Sequence, residues 1–115
     1  MSIEIFLRET GDAAASIIEI FATQSPMLIE QMRAAGDGAD TATLRAIAHK
    51  LKGSCVALGA TEMASRCQEL EDQAGRGTLE GAKALVSQLE TALAATHEAL
   101  LKELTRAEGP AFGNR

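Results

Sequence analysis

The stretch Thr41–Leu58, TATLRAIAHKLKGSCVAL, decides how the rest of the chain is read. At ~100° per residue, Leu44, Ile47, Ala48, Leu51, Cys55 and Leu58 gather into one apolar stripe. The spacing predicts an amphipathic helix. His49 falls away from the stripe. Its own face holds Ala42, Ala46, Gly53 and Ala57, all small, with Arg45, Lys52 and Val56 beside them. A titratable ring then stands on a flat patch almost free of side chains, with cations at hand. A second protein could reach one imidazole nitrogen there.

Outward from this segment the chain reads as further helices, with no convincing strand. Asp40 is placed to cap the helix and Gly59 to end it. Upstream, Ala14, Ile17, Ile18, Phe21, Leu28 and Met32 keep helical spacing to about Ala35. Pro26 interrupts that run and predicts a kink, or a restart capped by Ser25. Gly36-Asp37-Gly38 reads as a stop and a turn. Gly11-Asp12 offers a break and a cap. Before it, Ile3, Ile5, Phe6 and Leu7 predict a short extra N-terminal helix. Downstream, Thr61 is the expected cap of a helix whose stripe is Met63, Ala64, Cys67, Leu70 and Ala74. After the turn Gly75-Arg76-Gly77, Thr78 is the expected cap of a last helix carrying Ala82, Val86, Leu89, Leu93, Leu100 and Leu104 on one side. Four long amphipathic segments with short connections predict an all-α fold, an antiparallel up-and-down four-helix bundle. One domain is expected over 1–107, with 108–115 a frayed tail of Gly, Pro and Asn.

Composition limits what such a bundle could do. Aromatic residues are 3% of the chain, with no Trp and no Tyr, which removes the stacking platforms of single-strand nucleic-acid binders. A net charge of -5 argues against nonspecific binding to nucleic acid or anionic membranes. The segment from Arg45 to Lys52 runs against that background, with Arg45, Lys50 and Lys52 and no acid. It points to a small anion or an acidic partner surface. Nothing at the N-terminus resembles a signal peptide, and no apolar run approaches ~18 residues. A reducing, cytoplasmic setting is expected, with Cys55 a buried free thiol.

The chemistry narrows by elimination. Ser54 and Cys55 lie toward or beside the core stripe, so neither makes a nucleophile with His49. The spacings of Cys55, Cys67, His49 and His97 match no metal-ligand pattern, and no Glu stands three residues before either His. His97 borders the last stripe, among Leu93, Leu100 and Leu101, as a partly buried packing residue. No phosphate-binding glycine loop is present, so no ATP site is expected. That leaves His49 as an acceptor. Imidazole is nucleophilic near neutral pH, and a phosphoryl group on a ring nitrogen is readily handed on. Lys52 sits one turn away and could meet the phosphoryl oxygens. Gly53 lies directly below His49, where glycine costs roughly 1 kcal/mol against alanine. Access for an incoming protein explains it, since Gly53 faces away from the core stripe.

The run Ala48-His49-Lys50-Leu51-Lys52-Gly53-Ser54, with Ala57-Leu58-Gly59-Ala60 after it, closely resembles the signature of histidine-containing phosphotransfer domains. Cys67-Gln68-Glu69-Leu70-Glu71 continues the resemblance, and Phe21…Pro26…Leu28 does so more loosely. The resemblance implies a four-helix bundle with the histidine exposed in mid-helix. In it His49 carries the phosphoryl group, Lys52 stabilises it and Gly53 leaves room. The implied partners are response-regulator receiver domains, which donate or accept through an aspartate, and a hybrid histidine kinase. Mg²⁺ and most of the catalytic machinery then belong to the receiver, and the chain is a relay intermediate with no cofactor of its own rather than an enzyme. Some members of that family place a glutamine of the next helix near the phosphohistidine. Glu71 and Gln68 come nearest here, but a carboxylate would repel a phosphoryl group, so neither inherits the role.

Docking is expected on the patch Ala42, Arg45, Ala46, Lys50, Val56 and Ala57, with the cations steering toward a receiver's acidic pocket. Two rival readings use the same face. One is a contact-only adaptor. The other is a sensor-kinase dimerisation module, which would continue from its histidine with Glu and reach a Pro, where this chain has Lys50 and Gly53. A monomer is expected.

Overall fold

Apolar residues recur every third or fourth position through most of the chain, and each such run is helix. The computed structural model describes residues 13–113, with side chains to residue 106. Among them are four helices and no strand: α1 (Ala14–Asp37), α2 (Thr41–Leu58), α3 (Thr61–Gly75) and α4 (Ala82–Gly113). The helices form an antiparallel bundle in which α1 packs on α2, α2 on α3, α3 on α4, and α4 back on α1. The expected N-terminal helix around Ile3–Leu7 and the Asp12 cap lie outside the described residues. Helical backbone in α4 runs past Glu108, where the sequence predicts a frayed tail, to Gly113.

The core is aliphatic and continuous. Ile18, Phe21, Ile29 and Met32 of α1 meet Leu44, Leu51 and Leu58 of α2, Met63 and Leu70 of α3, and Leu89 and Leu100 of α4. Ile17, Leu28, Ile47, Leu93 and Leu104 pack partly buried around them. The periodicity missed Ser25 and Ile29, both buried. They show why Pro26 does not divide α1. The buried row Ile18, Phe21, Ser25, Ile29, Met32 keeps one face through the proline. That burial outweighs the ~3 kcal/mol a proline costs inside a helix. No restart at Ser25 exists. The Ala22 carbonyl loses its helical donor to Pro26, and both residues line the open groove between α1 and α4.

Three helices end in the same way, with a left-handed residue and paired carbonyl closures. After α2, Gly59 (φ 78) lets Gly59 N–H donate to Val56 O and Ala60 N–H to Cys55 O. After α3, Gly77 (φ 75) serves Ala74 O and Gln73 O in the same pattern. After α1 the left-handed residue is Ala39 (φ 56), with bonds to Gly36 O and from Asp40 N–H to Ala35 O. The Asp40 side chain then caps α2 as expected, accepting from Thr43 N–H at 3.1 Å and from the Thr43 hydroxyl at 2.6 Å. Those bonds, the hydroxyl's first, hold its carboxyl below the usual range.

Two expected caps are corrected. α3 starts after Ala60, which makes no side-chain cap, and Thr61 is already helical. Ala60 N–H is spent closing α2, so the connection is too short to place a threonine ahead of the helix. Thr78 likewise belongs to the end of α3, its N–H donating to Gln73 O. Its hydroxyl accepts from Glu80 N–H at 3.2 Å, and α4 begins only at Ala82, after Gly81 (φ 81).

Ala39 supplies a direct test of this closure. A left-handed alanine costs roughly 1 kcal/mol relative to glycine. Ala39→Gly should raise the thermal midpoint by about 4 °C, read by circular dichroism.

Candidate functional site

The rotation of α2 is set by its buried row, Leu44, Ala48, Leu51, Cys55 and Leu58. With that row inward, His49 points outward, its side chain 69% exposed. Gly53 is exposed one turn on, and a Cβ built there meets nothing within 4 Å. Ala42, Ala46, Lys50 and Ala57 are exposed on the same helix, and Val56 is 55% exposed. Arg45 is also exposed, with its guanidinium laid beside Gly75, the last residue of α3. A cation there faces the negative end of the α3 dipole. All nine residues singled out on α2 therefore stand on its outer side, with Lys52 at the border toward α3.

The two-residue connection Gly59-Ala60 folds α3 back along α2, so near-mirror positions meet. Cys67 touches Cys55 in the core, Gln68 reaches Lys52, and Glu71 reaches His49. His49 Nδ1 donates to Glu71 Oε2 at 3.0 Å. Lys52 Nζ lies 2.9 Å from Glu71 Oε1 and donates to Gln68 Oε1, also at 2.9 Å. Gln68 Nε2 in turn donates to Asp72 Oδ1 at 2.8 Å, which fixes which way its amide faces. Glu71 is only 15% exposed, under the two α2 side chains. Its carboxyl is held below the ordinary range by the Lys52 hydrogen bond first, against burial, with His49 adding to the lowering.

Glu71, Gln68 and Asp72 are the site residues that the reading of α2 alone misses. A signal for them is present in the chain. Reflection through the Gly59-Ala60 turn brings 68 and 71 opposite 52 and 49. The charge argument set Glu71 aside because it left out Lys52, which neutralises the carboxylate locally. Elsewhere, Cys55 and Cys67 are buried free thiols. Contact with Cys55, and then burial, pushes the Cys67 thiol up, so it is inert. His97 is partly buried and lines the α1–α4 groove with Leu93 and Pro26, away from His49. No described helix is long and apolar enough to cross a membrane.

A polar arrangement of this kind holds an imidazole in one orientation at a surface. It has an ammonium within one turn and open space on the adjoining turn. That geometry leaves the imidazole accessible from outside the bundle.

The profile of the Hpt domain family matches residues 16–104. The structure is similar to the crystal structure of histidine-containing phosphotransfer protein B from Pseudomonas aeruginosa PAO1, with a TM-score of 0.83, 30% identity and 90% of each chain covered. It also shares its fold with the Hpt domain of a sensor hybrid histidine kinase from Shewanella, with a TM-score of 0.70 and 21% identity over 92% of this chain and 94% of that one. Among curated protein sequences nothing matches the chain.

Two outcomes test the site's local physics. The pairing of Glu71 stabilises the fold above the ordinary carboxylate pKa of about 4.3 and is lost as pH falls through its depressed value. The stability gap between the wild type and Glu71→Gln, measured by urea unfolding, should therefore close between neutral and strongly acidic pH. Gly53→Ala should raise stability by about 1 kcal/mol, since helix propensity improves and no neighbour is met.

Proposed function

This chain belongs to the histidine-containing phosphotransfer (Hpt) domain family, and from that premise we propose that His49 accepts a phosphoryl group from the aspartate of one receiver domain and passes it to that of another. Phosphotransfer within two-component phosphorelays is the function that this membership gives. The direction and the residue roles are our reading. The observation that carries it is the exposed His49 ring beside a glycine whose missing side chain would meet only open space.

In this reading Lys52 meets the phosphoryl oxygens. At ~4 Å and an effective dielectric of about 20 such a contact is worth at most ~4 kcal/mol, and less where water screens it. Gly53 keeps the approach clear. The small residues Ala42, Ala46 and Ala57, with Val56, form the flat part of the docking surface. Arg45 and Lys50 draw in the acidic pocket of a receiver, which brings its own Mg²⁺. A hybrid histidine kinase is the upstream source. The chain acts as a monomeric relay in the cytoplasm, and the receiver supplies most of the catalysis.

Incubation with receivers phosphorylated by acetyl phosphate should label the chain. The label should be lost in acid and survive alkali, as a phosphoramidate does. His49→Gln should abolish labelling while helicity and receiver binding persist. An adaptor would lose nothing in that variant, so retained output would overturn the relay. Gly53→Phe should block transfer with helicity nearly unchanged. Transfer at the wild-type rate would remove the access argument.

A further inference from the structure

The relay face is built from α2 and α3, and it leaves the far side of the bundle without work. There α1 and α4 border a groove of about 550 Å³. We propose that this groove binds a small organic ammonium ion with an apolar body: the head lies at the carboxylates of Glu30 and Glu90, and the body lies on Pro26, Ile29 and Leu93. The inference is independent of the role given to His49.

Size and lining set the body of the ligand. The volume is that of sites that take small molecules, and the lining is the usual mixture of apolar walls and a few polar groups at one end. Ile29 is buried at the floor, Leu93 is partly buried beside it, and the exposed Pro26 and Ala94 form the rims. His97 stands at the level of Pro26, away from the acids. From Pro26 to Arg33 is about 10 Å of helix, the length of a four-carbon chain that ends in a phenyl ring.

Charge sets the head. Arg33 of α1 bonds through one guanidinium nitrogen to Glu30 and through the other to Glu90 of α4. Two carboxylates meet one guanidinium, so one negative charge is left over. No other Lys or Arg lines the groove among the described residues. Each carboxylate gives one oxygen to Arg33, and among the described residues the other has no protein partner. An ammonium group, which only donates, suits that end. Both acids are more than half exposed, so their attraction alone is weak and the apolar walls must add to it. The same bridge sets the shape. Arg33 also lines the next hollow along α1 and α4, beside Gly36 and Lys83, so the Arg33–Glu90 pair divides the two. A helix laid along this face would have to break it, whereas a compact molecule abuts it.

The test uses the full chain labelled with ¹³C,¹⁵N-histidine and three probes that share one body. With 4-phenylbutylamine the ring signals of His97 should move saturably at concentrations on the order of 1 mM. Those of His49 should stay in place, because α2 does not pack on α4. The uncharged 4-phenylbutanol should bind about fivefold more weakly, and 4-phenylbutyrate more weakly still. Glu90→Gln removes the surplus charge and should bring the amine down to the level of the alcohol. Ala94→Phe, at an exposed rim position, should abolish the response to the amine with helicity unchanged. Equal binding of amine and butyrate, undiminished binding in Glu90→Gln, or no saturable response at His97 overturns the proposal. A His97 response to protein concentration alone gives the groove to a second copy of this chain and overturns it as well.

Discussion

The rotation of α2 about its own axis is the constraint on which everything at the surface depends. Leu44, Leu51 and Leu58 are at most 2% exposed, with Ala48 and Cys55 between them. Burying each leucine is worth roughly 2 kcal/mol. Turning the helix by one residue would expose that row and bring His49 against the apolar neighbours, at a cost on the order of 5 kcal/mol. The core thus aims the imidazole without touching it. No loop or strained backbone is needed to present it, and a side chain on a packed helix is held more exactly in place than one on a loop.

Electrostatics at the site work by pairing rather than by net charge. The chain is acidic overall, and Arg45, Lys50 and Lys52 stand out on α2. One of these cations is committed at rest, because Lys52 is held by Glu71 and Gln68 from α3. That leaves the carboxylate locally neutralised and the imidazole hydrogen-bonded. Partly shielded pairs of this kind orient side chains more than they stabilise folds. Their contribution here lies in geometry, since His49, Lys52, Gln68 and Glu71 on two helices share one set of contacts.

Much of this was legible from residue spacing. The apolar stripes of α2 and α3 read true apart from Ile47 and Ala64, which sit at the edge of the core rather than in it. The outward face of His49, Gly53 and their small neighbours followed from the stripe alone. Helix ends were harder. Gly59 and Asp40 were readable because their chemistry is local, whereas Thr61 and Thr78 look like caps but lie within closures set by the preceding helix. A restart at Pro26 does not occur, because its local penalty is overridden by burial of Ser25 and Ile29 on either side. Glu71 was hidden for another reason. Its contact with His49 depends on how α3 folds back along α2, and its pairing with Lys52 is visible only with both helices in place.

In the relay we propose, Gly53 and Glu71 answer two requirements on one helix pair. A carrier must hold its ring still and leave it reachable. The first requirement is met from α3, by a carboxylate that lies under His49 and is itself 15% exposed. The second is met from α2, by a glycine that gives up roughly 1 kcal/mol of helix propensity and leaves only open space where a side chain would stand. The two features lie on different helices, so neither obstructs the other: the ring is held at Nδ1 from α3, and the surface at Gly53 of α2 stays open. A bundle whose second and third helices are joined by two residues is enough to build both, because that short connection alone fixes which positions of α3 stand opposite the acceptor.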